Sequence, residues 1–311
     1  MVKQGPTSQS PSSALAESIA EYLDDAAARA RRRTVEIYET VLLKHLLPWA
    51  QRDGIDQADQ LTQRAVSRWM GYLRNDHRTA KGTPLSEESV KTYARTVNSY
   101  LKWLTSDARA QAPVPKRRLL EVLSRNEMDR LELAATTERD KLLIRLLADT
   151  GARLGEALAL RESDVMQRDR REHVVRLRGK TGERLAPISA ELYRRLRRYL
   201  EHSRPAGYDG DRVFVGLHRV RSGGYQTPGR GTIEAMFREA AVRAGIKRRV
   251  HPHLLRHSAL THLLRRNVNP LLVAQIAGHS SLEMIRSTYS HLTISDAHRA
   301  VMAALTSDDD R

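Results

Sequence analysis

The sequence predicts a mainly α-helical protein with one small antiparallel β element, an α+β chain. Three observations lead there. Apolar residues recur every three or four positions through most of the 311 residues, the spacing of one helix face. Two β-rich runs lie on either side of Gly179 and Gly182, glycines suited to a hairpin turn. The stretch SDARAQAPVPKRR at 106–118 breaks the helical period with two prolines and small residues, as a segment between separately folded units does.

Residues 1–13, MVKQGPTSQSPSS, are polar and lack the apolar core of a signal peptide; a disordered leader is expected. Residues 14–105 read as a helical bundle. Leu15, Ile19 and Leu23 share one helical face, and Val35, Tyr38, Leu42 and Leu46 form a second stripe that Pro48 is expected to close. Val66, Trp69, Met70 and Leu73 form a third, with Thr62 as its N-cap. Ser86 caps the fourth, whose Val90, Tyr93, Val97, Leu101 and Leu104 face inward while Lys91, Arg95 and Lys102 take other positions. Residues 106–118 are the expected linker, and 119–311 the second domain.

That domain is mixed. Leu142, Leu143, Leu146 and Leu147 make a buried helical stripe that stops at Thr150-Gly151, and the next helix carries Leu154, Leu158 and Leu160. Val174, Val175 and Leu177 suggest a strand, with Leu185 to Ile188 as its partner. Leu192, Leu196 and Leu200 mark another helix, 217–231 is a Gly-rich basic loop, and a last helix is expected at 294–305.

Composition narrows the partners. The chain holds 53 Lys+Arg against 37 Asp+Glu, a formal net charge of +16, which suits a polyanion; a solvated Arg-rich surface gives the same balance. There is no cysteine, which excludes a disulfide framework and a Cys-ligated metal and fits a reducing cytosol. No apolar run approaches the roughly 20 residues that span a bilayer. A soluble, cytoplasmic protein with no membrane partner is expected.

Several familiar motifs fail. Gly179-Lys180-Thr181 resembles the end of a phosphate-binding loop, but Val174 stands where that loop needs glycine. Gly278-His279-Ser280 resembles a nucleophile elbow, but Leu282 replaces its closing glycine. His253, His257 and His262 suggest zinc, yet His253-Leu-Leu-Arg-His257 lacks a glutamate and sets Arg256 beside any cation; no metal and no cofactor are expected.

A different set of residues carries chemistry. His253 and Arg256, at i and i+3, share a helical face. A guanidinium grips phosphate oxygens in a fork, and a neighbouring imidazole can move a proton. Arg153 follows a tight turn with Glu156 three residues on to hold it by an ion pair. Lys180 sits at the hairpin turn, and Tyr289 follows a short helix with a Ser280/Glu283 capping box. Phenol ionises near pH 10, so making phenolate at pH 7 costs about 4 kcal/mol. One opposite charge ~4 Å away at an effective dielectric of ~20 returns roughly as much before desolvation. Singly, each residue fits an ordinary structural role; the set does not.

The segments TGARLGEALAL, RGKTGERLAPIS, HPHLLRHSALTHLL and IAGHSSLEMIRSTYSHL resemble, in order, those of the tyrosine recombinases, the phage integrase family. The resemblance implies a helical core-binding domain at 14–105 and a catalytic domain at 119–311. It implies that Arg153 and Arg256 clamp a scissile phosphate, that His253 and His279 hydrogen-bond it, and that Lys180 protonates the departing 5′ oxygen. Tyr289 would form a 3′-phosphotyrosine bond, and Glu156 would support Arg153. It also implies double-stranded DNA with paired inverted binding sites as partner, gripped by the two domains as a C-shaped clamp, and a homotetramer on DNA with 294–305 docking on the neighbouring protomer. Integration by a mobile element is one expected setting. Type IB topoisomerase-like cleavage without synapsis, and an inactive DNA-binding regulator, stand as alternatives.

Overall fold

A computed structural model describes residues 13–113, 121–179, 182–221 and 223–278. The chain divides into two compact units, Met1–Arg118 and Leu119–Arg311.

In the first unit, the Ser13 hydroxyl accepts from the Ala16 N–H at 3.2 Å and caps α1 (Ala14–Arg29). Ser13 therefore belongs to a helix start rather than to the expected leader, whose other residues lie outside the described ones. Leu15, Ile19, Tyr22 and Ala26 on α1 are wholly buried. α2 (Arg32–Val41) does not end at Pro48. It passes through one wide turn, Leu42–Leu46, into α3 (Leu47–Arg52). There the Leu47 N–H reaches back five residues to the Leu42 carbonyl. The wider turn takes up the misfit of a proline, which then sits in the first turn of α3, where a helix needs no N–H. Leu42, Leu46 and Trp49 pack inward.

Thr62 caps α4 (Gln63–Asn75), which buries Val66, Trp69, Met70 and Leu73. Ser86 caps α5 (Glu87–Trp103), which buries Val90, Ala94, Val97, Tyr100 and Leu101. The expected linker begins as part of this unit. Ala108 and Ala110 lie in its core, and Asn98 binds the Ala110 backbone through both side-chain amide atoms, at 2.7 and 3.0 Å.

The second unit starts with α6 (Arg125–Leu133), closed by a Ser124/Glu127 capping box, and α7 (Glu138–Thr150), whose four predicted leucines are wholly buried. α7 stops at Gly151 in the left-handed region, φ 60°. A Cβ there would lie 2.8 Å from Leu260 Cδ2. We expect Gly151→Ala to lower stability by about 1–3 kcal/mol, through strain and overpacking together; an unchanged melting temperature would contradict this.

α8 (Leu154–Leu158) follows, with Leu160 buried beyond its end. A three-stranded antiparallel sheet comes next, in the order β1 (Val165–Asp169), β2 (Glu172–Gly179), β3 (Gly182–Ile188). The β2–β3 hairpin is the one expected. β1 was not expected, because VMQRD buries only Val165 and carries no alternation; its pairing with β2 holds it. α9 (Ala190–Arg198), α10 (Arg230–Arg243), α11 (Pro252–Arg265) and α12 (Pro270–Ala277) complete the described part. α11 packs on α7 and α12, and α12 also meets β3. Among the described residues, no helix is long and apolar enough to cross a membrane.

Candidate active site

The site begins at the Gly151 turn, which places Arg153 at the N-terminal boundary of α8. The Arg153 backbone N–H donates to Glu156 Oε2 at 2.8 Å and its guanidinium to Oε1 at 2.8 Å. The i,i+3 pairing expected between them therefore forms. Glu156 is only 4% exposed, so its charge needs partners.

A second guanidinium supplies them. Arg184 on β3 donates to Glu156 Oε1 at 2.9 Å and to Oε2 at 2.6 Å, a fork on both carboxylate oxygens. Sequence reasoning missed this residue. The usable signal was strand parity: Arg184 shares its side of β3 with Ala186 and Ile188, which are buried, while Leu185 points out. A charged residue on an inward side implies a buried partner.

Arg256 on α11 is the third cation, 4% exposed. It donates to the Gly151 carbonyl and, at 2.8 Å, to that of Ala277. The three arginines converge on one helix end. Arg184 Nε donates to Ile276 O at 2.6 Å, Arg256 to Ala277 O at 2.8 Å and Arg153 to Gly278 O at 3.1 Å. Successive Cα atoms lie ~3.8 Å apart, so the guanidiniums crowd into one small region. They meet the negative end of the α12 dipole there.

One carboxylate among three guanidiniums leaves a surplus of positive charge. Burial pushes the Glu156 carboxyl up, but hydrogen bonds from Arg184 and from the Arg153 N–H and guanidinium outweigh it and hold its pKa at about 2. Burial and the nearby Arg153 bring Arg256 down to about 10, against the pull of Glu156; it stays charged at neutral pH. His253 lies one turn before Arg256 on α11. Loss of hydration lowers its pKa, and Arg256, His251, Arg153 and Arg230 lower it further. A neutral imidazole is the result, able to accept a proton near pH 7. His251 fixes this turn: its Nδ1 accepts from the Leu254 N–H at 3.2 Å and caps α11.

The structure thus brings Arg153, Glu156, Arg256 and His253 together and adds Arg184. Lys180, His279 and Tyr289 lie outside the described residues, as do the Ser280/Glu283 capping box and the helix at 294–305. The chain does reach Gly278, in the left-handed region with φ 63°, and His279 follows it directly in sequence. A cluster of fixed cations beside a neutral imidazole can bind a tetrahedral oxyanion and stabilise charge that grows on it.

Residues 121–295 match the phage integrase family. The chain belongs to that family. Two relatives carry the name tyrosine recombinase XerC. That of Chromobacterium violaceum is 38% identical over 157 residues, 50% of this chain and 49% of the relative, so this match spans about half of each. That of Xanthomonas campestris pv. campestris is 31% identical over 263 residues, 80% of this chain and 76% of the relative. The XerH site-specific recombinase, solved bound to its palindromic difH substrate after cleavage, shares the fold with a TM-score of 0.69 at 17% identity, covering 93% of this chain and 83% of that one. As a phage integrase family member the chain is an enzyme of the tyrosine-type site-specific recombinase class.

The hairpin base also touches the cation cluster. A Cβ on Gly179 would lie 2.5 Å from Glu156 Oε1. That oxygen is held by Arg153 and Arg184, so it cannot yield without losing those bonds. We expect Gly179→Ala to cost about 1–3 kcal/mol, the scale of a disturbed buried charged hydrogen bond, read as a lowered denaturation midpoint; a neutral effect would mean that the carboxylate moves freely.

Proposed function

We propose that the cation cluster holds the scissile phosphate of double-stranded DNA, and that Tyr289 attacks it to give a covalent 3′-phosphotyrosine intermediate. The observation that carries this reading is the surplus of fixed positive charge around the single carboxylate of Glu156. Arg153 and Arg256 grip the nonbridging oxygens. Glu156 holds Arg153 by an ion pair, and 37% of the Arg153 side chain stays open to a substrate. The phenol proton passes to His253, which burial and the nearby cations keep neutral and so open to a proton. The Tyr289 oxygen bonds to phosphorus, and the bond from phosphorus to the 5′ oxygen breaks. Lys180 gives that oxygen a proton, and His279 adds a hydrogen bond to the phosphate. The pentacoordinate transition state gathers negative charge, and preorganised cations favour it over the ground state. Rejoining reverses these steps, with the 5′ hydroxyl of the same or another strand as nucleophile. The bond energy is kept in the intermediate, so no nucleotide cofactor is required.

The helical unit, 14–105, serves as the core-binding domain and 119–311 as the catalytic domain. Exposed Arg95 and Lys102 on α5 support a DNA-facing role for the first. The substrate is a pair of inverted sites and the working assembly a homotetramer; the palindromic DNA bound by the XerH relative supports the first of these. Recombination between paired sites, with four-way junctions as intermediates, separates this reading from relaxation by a lone topoisomerase-like protomer and from a regulator that never cleaves. Binding is expected to weaken steeply with salt, with a log–log slope of about −0.9 per phosphate contacted. A flat salt profile in a titration would contradict it.

A further inference from the structure

Arg184 takes no part in the chemistry above, yet it joins three elements of the site. It sits on β3, is nearly buried with 9% of its side chain exposed, and spans three acceptors: both oxygens of Glu156 and the carbonyl of Ile276. Glu156 in turn holds the backbone and the guanidinium of Arg153 and lies against Gly179 at the base of the hairpin. Arg184 also packs at the end of α12, where a Cβ on Gly278 would lie 2.9 Å from its guanidinium. One planar group therefore ties together the hairpin, the start of α8 and the end of α12.

We propose that Arg184 is a positioning residue for strand cleavage: it locks Glu156, and through it Arg153, to the C-terminal end of α12, and so fixes the backbone from which His279 follows. The inference rests on the reading of this cluster as a phosphate site. Three acceptors in fixed directions suit a guanidinium with its five rigid donors; a lysine ammonium is a point charge on a flexible stem and cannot span them in the same way. Arg184 acts on geometry and not on DNA charge, so its loss separates cleavage from binding.

The test compares wild type, Arg184→Lys and Arg184→Gln on a nicked duplex. Its site is first selected from random-sequence DNA by binding to the wild-type chain. Thermal unfolding, DNA affinity, the single-turnover rate of covalent adduct formation and the pH profile of that rate are measured together. Both variants are expected to bind DNA within threefold of wild type and to form adduct ~100-fold more slowly, the penalty of roughly 1 Å of misplacement. In Arg184→Gln the carboxyl of Glu156 loses its largest opposing partner to burial, so the acid limb of the rate moves to higher pH. A purely structural arginine would not move that limb. Adduct formation within threefold of wild type in a folded variant overturns the inference. So does a slower rate that is fully matched by lost DNA binding with an unchanged pH profile, and so does failure of both variants to fold. Wild-type protein that binds the selected duplex but forms no adduct instead overturns the phosphate-site reading itself, and the inference with it.

Discussion

Tyr289→Phe is expected to bind target DNA with wild-type affinity and to form no covalent adduct. The substitution removes one oxygen and leaves the ring. Binding draws on Arg153 and Arg256, whose charge is left over once Arg184 offsets Glu156, and on the excess of 53 basic over 37 acidic side chains, none of which changes. Cleavage draws on the phenolic oxygen itself, because a covalent step needs a nucleophile that can be activated and phenylalanine offers none. The loss should therefore be complete and not graded. Normal amounts of adduct from this variant would refute the assignment.

Glu156→Ala should produce the largest loss of stability. The carboxylate is 4% exposed and accepts from two guanidiniums and one backbone N–H. Its removal leaves Arg184 buried beside Arg153 and Arg256 with no counter-charge among these groups. Breaking a buried pair by taking one partner costs about 3–5 kcal/mol. The Glu156 carboxyl is held at a pKa of about 2 in the folded chain, against 4.5 for a free carboxyl, a shift that corresponds to roughly 3 kcal/mol. The sign with pH follows. The folded-state pKa is depressed, so this stabilisation is fully present above pH 4.5 and is lost as pH falls towards 2. Denaturant unfolding of both proteins should show a gap that is constant above pH 5 and closes below pH 4. A gap that widens on acidification would contradict the ion-pair account.

Local pattern carried much of the fold and part of the site. The stripes of α1, α4, α5 and α7 are visible because burial repeats with the helical period. Glu156 and Arg153, three residues apart, pair as expected. Pro48 misled because a proline reads as a stop, whereas a wide turn just before it lets the helix pass. β1 gave no signal because four of its five residues are not fully buried and its pairing depends on β2. Arg184 was hidden for a related reason: its partner stands 28 residues away in sequence. The three carbonyls at 276–278 that gather the arginines are backbone groups, present at every position and invisible in the residue string.

The most direct test of the account is to map the covalent adduct trapped on a nicked target duplex in the presence of a chelator. Protease digestion and mass spectrometry should place the DNA on Tyr289, joined through a 3′ phosphate, in undiminished yield when divalent ions are removed. An adduct on another residue, a 5′ linkage, or cleavage that stops when divalent ions are removed would contradict it.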